Sequence, residues 1–286
     1  MKTILVPTDF SKNAENALLF AVLLAQKENT KLILHHSFQV PVVITEIPYD
    51  ILREEKEELY KASEQKLKTQ AVVIEHAGLK SYRFNICEGS PGETIVEAAK
   101  ENQADMIIMG TKGADSVGDS FFGTTATYVM EHADCPVMAI PEGYRFDTPV
   151  KTITYATNYH ESDLEDLMKL VDFAGLFKAQ VNVLHISTSK LKPSEEHDLM
   201  DNFKDRVNKK ITYPFLSFQL MHGDDVEEKL ETFIAEGGTN ILVMSTHKRN
   251  FFERLFGIGT THEMGLEIQV PIIAFHYNKK LISKPS

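Results

Sequence analysis

Short, unbroken apolar runs recur along the chain, and between them apolar residues fall on a helical period. ILVP (Ile4 to Pro7) is followed by Ala14, Ala17, Leu18, Ala21, Leu24 and Ala25, whose i, i+3, i+4 spacing makes one face of a helix. Ser11 stands where an N-cap for that helix belongs. The pattern then predicts strand KLILHH, a charged helix starting near Ile51, strand YRFNICEG, helix PGETIVEAAKENQ, strand ADMIIMG, a glycine-rich stretch, helix GTTATYVMEHA and strand CPVMAI. Runs such as MIIM and ILVM lack polar alternation, which marks strands buried on both faces. Strands alternating with crossover helices give an α/β fold with parallel strands covered on both sides.

The same order appears twice. ILVPTDFS (Ile4 to Ser11) is answered by ITYATNYH (Ile153 to His160), KLILHHS by QVNVLHIS (Gln180 to Ser187), and NICEGSPGETI by FQLMHGDDVEEKL (Phe218 to Leu230). DMIIMGTKG (Asp105 to Gly113) is answered by NILVMSTHK (Asn240 to Lys248), and CPVMAI by VPIIAF (Val270 to Phe275). Matches in one constant order indicate a tandem duplication. The turn-rich PEGYRFDTP, Pro141 to Pro149, is the natural boundary, so domains are expected at 1–143 and 149–280, each a doubly wound, five-stranded parallel sheet.

Composition narrows the function. The 286 residues are 43% apolar and 25% charged, as in a globular protein with a core in each half. With 30 basic against 41 acidic residues the net charge is −11, which disfavours nucleic acid as a partner. No run approaches the roughly 20 apolar residues of a membrane span, so no membrane partner and a cytoplasmic location are expected. The two cysteines, Cys87 and Cys135, are expected to be buried free thiols.

The stretch MGTKGADSVGDSFFGTT, Met109 to Thr125, carries the candidate chemistry. It starts at the carboxyl end of a central strand, where open parallel sheets bind ligands. Gly110 and Gly113 bare the backbone, and Gly123, Thr124 and Thr125 open a helix whose free N–H groups and dipole favour phosphate. Lys112 adds charge and the threonines add hydroxyls. An ordinary surface loop with turn glycines is the alternative reading.

These residues resemble the universal stress protein family over nearly the whole chain, as two fused copies. Gly110, Gly113, Gly123 and Thr124 match the family's Gly-x2-Gly-x9-Gly-Ser/Thr nucleotide motif, and ILVPTDFS is similar to its first strand and turn. The resemblance implies two Rossmann-like domains in tandem, with ATP bound in the first and Mg²⁺ as an open companion. It implies that Pro7, Thr8 and Asp9 line the adenosine side, that His36 meets adenine mainly through its backbone, and that Met109, Lys112 and Thr125 complete the pocket. Asp9 serves equally well as a helix cap or as a ligand to nucleotide or Mg²⁺. The side chains of His35 and His36 read as strand-end histidines with ordinary hydrogen bonds. Single-domain relatives pair through their last strand, which implies intramolecular pairing of the two domains and leaves further homo-oligomers open.

The second copy departs from this pattern. Ala156 replaces the proline, Asn158 replaces Asp9, and Ser245 and Lys248 replace Gly110 and Gly113. FGIGTT, Phe256 to Thr261, keeps a glycine and threonines, with Lys248 or Arg249 near enough in sequence to help an anion. A degenerate site kept for its pairing surface is expected. The chain lacks a GxxxxGK[ST] loop and a nameable nucleophile–base pair, and His185, His197, His222, His247 and His262 are scattered. Asp115 and Asp119 are loop carboxylates that could meet Mg²⁺. The expectation is an ATP-binding regulatory module with no catalytic residues, weak hydrolysis being a side activity. A slow ATPase switch and a nucleotide-free interaction protein are the alternatives.

Overall fold

The structure is a computed structural model, and it describes residues 1–40, 49–113, 122–146, 149–188, 193–245 and 269–276. The chain divides into two compact units, one ending at Gly143 and the other beginning at Tyr144.

The first unit runs β1 (Thr3–Pro7), α1 (Lys12–Glu28), β2 (Lys31–Phe38), α2 (Tyr49–His76), β3 (Tyr82–Glu88), α3 (Pro91–Glu101), β4 (Met106–Gly110), α4 (Thr124–His132) and β5 (Val137–Ile140). Its strands lie in the order β3-β2-β1-β4-β5, and every pairing is parallel. The chain winds outward from β1 through β2 to β3 and returns to β4, so the winding reverses between β1 and β4. Ile4, Leu5, Val6, Ile107 and Ile108 are fully buried, as continuous apolar runs covered on both faces require. Ala14, Ala17, Leu18, Ala21, Leu24 and Ala25 form the buried face of α1. The Ser11 hydroxyl accepts the Ala14 N–H at 3.1 Å and so caps that helix.

The second unit runs β6 (Thr152–Ala156), α5 (Asp163–Gly175), β7 (Gln180–Ser187), α6 (Pro193–Lys210), β8 (Leu216–His222), α7 (Val226–Ala235), β9 (Ile241–Ser245) and β10 (Ile272–Phe275). Its order is β8-β7-β6-β9-β10, again parallel throughout, with the reversal between β6 and β9.

Small hydrogen bonds repeat with the strands. The Asp105 carboxylate accepts the N–H groups of Lys2 and Thr3 at 2.6 and 2.8 Å. Asn240 Oδ1 does the same for Lys151 and Thr152 at 2.8 and 2.9 Å. Each pins the start of a first strand to the residue preceding its neighbour. The cysteines are free but only half-buried, which corrects the expectation of full burial. Cys87 lies on the edge strand β3, where one side of the sheet is open, and Cys135 precedes β5. Burial nevertheless pushes the Cys135 thiol up to about 12, with Asp134 and Asp105 adding to the effect.

Candidate functional site

The carboxyl ends of β1 and β4 bring the two sequence motifs of the first unit together. After β1 the chain turns sharply, with Phe10 at φ 67, a left-handed conformation that an aromatic residue adopts only when its surroundings impose it. Thr8 is the pivot of that turn. Its N–H donates to the His35 carbonyl at 2.8 Å and its carbonyl accepts from His36 Nδ1 at 2.8 Å. Its hydroxyl donates to Gln70 Oε1 at 3.0 Å and accepts the Phe10 N–H at 3.0 Å. With these groups engaged, Thr8 shapes the turn, and Asp9, which is exposed, is the residue it presents.

Asp9 Oδ1 accepts the Ser11 N–H at 3.0 Å, so one oxygen shapes the entry to α1. The other reaches across to the glycine stretch: a Cβ placed on Gly113 would sit 2.7 Å from Asp9 Oδ2. Gly113 is not in the left-handed region, so the glycine is needed for this close approach and not for its backbone angles. Gly110 has a different reason. A Cβ there would lie 2.8 Å from the Asn13 side chain, which donates from Nδ2 to the Lys112 carbonyl at 3.0 Å. Gly110 thus lets α1 press against β4 and hold Lys112 in place.

Thr111 is buried, donates to the Ile140 carbonyl at 2.9 Å and accepts the Gly123 N–H on its own carbonyl at 2.8 Å. That bond returns the chain to β4 after the loop. Gly123 is the N-cap of α4, with φ −75 and ψ 158, and no side chain caps the helix. Thr124 is exposed and Thr125 and Lys112 are half-buried around this N-terminus, whose amides and dipole attract an anion. Met109 and Pro7 are buried. Asp115 and Asp119 lie outside the described residues.

The paired histidines differ. Thr94 donates its hydroxyl hydrogen to the Pro91 carbonyl at 3.1 Å, so His35 Nε2, 3.2 Å from Thr94 Oγ1, carries the ring hydrogen. Burial, reinforced by His36, lowers His35 to about 4. His36 donates from Nδ1 to the Thr8 carbonyl, leaving Nε2 of the neutral ring an acceptor. Burial lowers its pKa against the Thr8 hydrogen bond; Lys66 lowers it further and Asp9 opposes. The His36 ring leans on Phe10 at 4.4 Å, and Lys66 Nζ stands 5.1 Å from the other ring contact, the Phe10 centroid. Gln70 and Lys66 come from α2, where a charged helical face gave no sign of a role at the site.

The second unit rebuilds the same turn. Thr157 N–H donates to the Leu184 carbonyl at 2.9 Å, its carbonyl accepts from His185 Nδ1 at 2.8 Å, and its hydroxyl accepts the Tyr159 N–H at 2.8 Å. Tyr159 has φ 60, and its ring lies 4.4 Å from His185. Under this turn lies a buried polar group. Asp163 accepts from the Thr157 hydroxyl at 2.6 Å, the His160 N–H at 3.1 Å and the Tyr155 hydroxyl at 3.1 Å; Asp166 lies 3.2 Å from that same hydroxyl. A second group joins Glu196, which is buried, to the Ser187 hydroxyl and to His222 Nδ1 at 3.2 Å. Lys248, Arg249, His247, His262 and residues 256–261 lie outside the described residues. Among the described residues, no three His, Cys, Asp or Glu side chains are placed to hold a metal ion, and no helix is long and apolar enough to cross a membrane.

Known proteins match this architecture. The family model of the universal stress protein family matches residues 1–141. A universal stress protein of Thermus aquaticus is 31% identical over 140 residues, 49% of this chain and 98% of the relative. One from Methanocaldococcus jannaschii is 30% identical over 146 residues, 49% of this chain and 81% of the relative. Among solved structures, a universal stress protein from Archaeoglobus fulgidus covers 97% of both chains with a TM-score of 0.69 and 15% identity, a likeness of fold. A Pseudomonas aeruginosa protein of unknown function covers 96% of this chain and 92% of its own, with a TM-score of 0.60 and 17% identity. With its doubly wound α/β units, its turn after β1 facing a glycine stretch, and relatives matched over nearly their full length, the chain belongs to the universal stress protein family.

Proposed function

We propose that the first unit is a regulatory module that binds ATP, with Mg²⁺, in the crevice between β1 and β4, and that it serves a stress response in the cytoplasm. The observation that carries this reading is the close approach of the Asp9 carboxylate to the bare backbone of Gly113, where a Cβ would sit 2.7 Å from Oδ2, in a stretch that runs on to the N-terminus of α4, which no side chain caps. The phosphates lie along Gly113, Gly123, Thr124 and Thr125, with Lys112 supplying positive charge. In this reading Asp9, whose Oδ2 faces Gly113, is the carboxylate assigned to Mg²⁺. The nucleoside extends from there toward the β1 turn, where Pro7 and the backbone of His36 flank it. The role assigned to the nucleotide is that of a bound signal. Mass spectrometry of small molecules released by denaturing the purified chain, with calorimetric titration of ATP and Mg²⁺, tests the reading. One ATP per chain is expected; two equivalent sites, or none, would refute it.

The second unit keeps the turn without the glycines, which leaves its role in assembly. In each unit the sheet order puts the last strand at an edge, and IIAF and VMAI are apolar strands without lysines to protect them. The reading adopted is that these two edges pair with each other within the chain. Tethering raises their effective concentration to about millimolar.

A further inference from the structure

We infer that the free edge of β8 is a docking surface for a second copy of this chain, whose own β8 pairs with it antiparallel about a twofold axis at Gln219. The inference goes beyond the nucleotide reading and is independent of it.

β8 is the outer strand of the second unit, and no strand of that unit lies beyond it. The Val181 N–H donates to the Phe215 carbonyl at 2.8 Å and the Gly223 N–H to the Ser187 carbonyl at 3.1 Å, so the backbone groups of the odd-numbered residues face β7. Those of Leu216, Phe218, Leu220 and His222 therefore point outward from the sheet. Native edge strands are commonly blunted by charge. The outer strand of the first unit follows that rule: Arg83 of β3 is exposed, and Glu88 pairs with Lys56 at 2.9 Å. β8, LSFQLMH, has no Lys, Arg, Asp, Glu or Pro, and every residue from Leu216 to Met221 is half-exposed.

The occupant follows from the strand's fit to itself. One antiparallel register uses all the outward backbone groups, and it sets Phe218 opposite Leu220, Leu216 opposite His222 and Gln219 opposite its own copy. An aromatic residue facing an aliphatic one stabilises such a pair, and no like charges meet. Gln219 Oε1 accepts from Asn182 Nδ2 at 2.8 Å, which orients its amide nitrogen for the Gln219 carbonyl oxygen across the axis. The same register lays Phe215, an exposed aromatic residue, over Gly223, which has no side chain to resist it. Charge selects the direction. Lys209 and Lys210 are exposed at the end of α6, before the strand, and Asp224 is exposed just after it. Antiparallel pairing brings the basic entry of one strand beside the acidic exit of the other on both sides of the axis, whereas parallel pairing would bring like charges together.

Sedimentation velocity of the full chain over a concentration series tests the inference, and a monomer–dimer equilibrium is expected. Leu220→Pro removes an outward N–H and leaves the bonds to β7, as proline on an edge strand can, and should weaken the dimer at least tenfold. Gln219→Lys and Gln219→Glu place like charges face to face across the axis, and each should also weaken it tenfold or more. An equimolar mixture of these two variants should recover the dimer as a heterodimer. Circular dichroism separates a folding failure of the proline variant from loss of pairing, and the Gln219 mixture tests the register without it. The inference is overturned if the unmodified chain stays monomeric throughout, if folded Leu220→Pro or either Gln219 variant dimerises undiminished, or if mixing the two Gln219 variants restores nothing. Dimers that persist in these variants use another surface, so a failure of the proposed β5–β10 pairing reads out separately.

Discussion

Beneath the first turn, Val6 of β1 and Ala14 and Ala17 of α1 are buried apolar residues. At the same positions beneath the second turn stand Tyr155, Asp163 and Asp166, all buried. Two copies of one fold have therefore met the same packing requirement in opposite ways. Apolar packing needs only volume, whereas a buried polar group needs every partner in place. Tyr155 has one hydroxyl hydrogen and two carboxylate oxygens within 3.2 Å. Asp163 Oδ2 also accepts from Thr157 and His160, while the single Tyr155 hydrogen is shared between Asp163 Oδ1 and Asp166 Oδ2. Burial raises Asp166 to about 6; Asp163 adds to the rise, while Lys169, Ser245 and Tyr155 oppose it. Gly110 faces Asn13, and at the equivalent positions the second copy has Ser245 and the shorter Ser162.

The largest test of the difference is Gly113→Val. Its side chain would start 2.7 Å from Asp9 Oδ2 and fill the proposed phosphate path, so ATP affinity is expected to fall at least a hundredfold in calorimetry while circular dichroism stays native. Lys248→Val in the other copy should leave ATP affinity unchanged. Equal losses in both variants would show that the copies do not divide the work as proposed.

Separating the units tests whether each needs the other. Residues 1–146 expressed alone are expected to self-associate in light scattering, because β5 keeps an apolar edge. A stable monomer at high concentration would remove the reason given for fusion.

Acidity should then move the two units in opposite directions. His35 titrates at about 4 in the folded protein against 6.5 unfolded, so its contribution is present above pH 6.5 and is lost as pH falls through 4, on the order of 3 kcal/mol. Its counterpart in the second unit is Leu184. Asp166 titrates at about 6 against 3.8, so its contribution is complete below pH 3.8 and is lost as pH rises through 6, also roughly 3 kcal/mol. Hydrogen exchange read separately over each unit between pH 4 and 7 should give slopes of opposite sign. His35→Leu should flatten the first and Asp166→Asn the second; parallel slopes would contradict the assignment.

Helix caps offer the smallest contrast. Asp225 accepts the N–H groups of Glu227 and Glu228 at 2.7 and 3.0 Å and caps α7, whereas Ser90 makes no such bond at α3. Asp225→Ala is expected to cost about 1 kcal/mol in chemical denaturation and Ser90→Ala a few tenths.

Strands and helices were legible because each central strand is a continuous apolar run and α1 keeps one apolar face, so period alone separates them. The glycine stretch was legible as a place, since it follows β4, but the reasons for its glycines were not. Gly110 answers to Asn13, which lies 97 positions earlier in the chain by its number, and Gly113 answers to Asp9. The polar group under the second turn ran against the pattern. Nothing in residue type marks Asp163 and Asp166 for burial, and it takes the hydroxyls of Tyr155 and Thr157 and the His160 N–H, brought in by the fold, to make it tolerable. Gln70 and Lys66 were hidden for a similar reason, being polar residues on a helix whose other charges make exposed i, i+4 pairs such as Lys68 with Glu64.

The two pins at the strand starts also govern the order in which the molecule can be assembled during synthesis. Lys2 waits for Asp105, 103 residues later, and Lys151 waits for Asn240, 89 residues later. At about 5–20 residues per second, a ribosome needs roughly 5–20 s to supply the partner of each first strand. Until then β1 and β6 can pair on one side only, with β2 and β7, and the strand that later becomes the centre of each sheet has an open edge. Chains released before Asp105 or Asn240 therefore end with a hydrophobic central strand exposed, and such fragments are the forms of this protein most prone to aggregate or to be degraded.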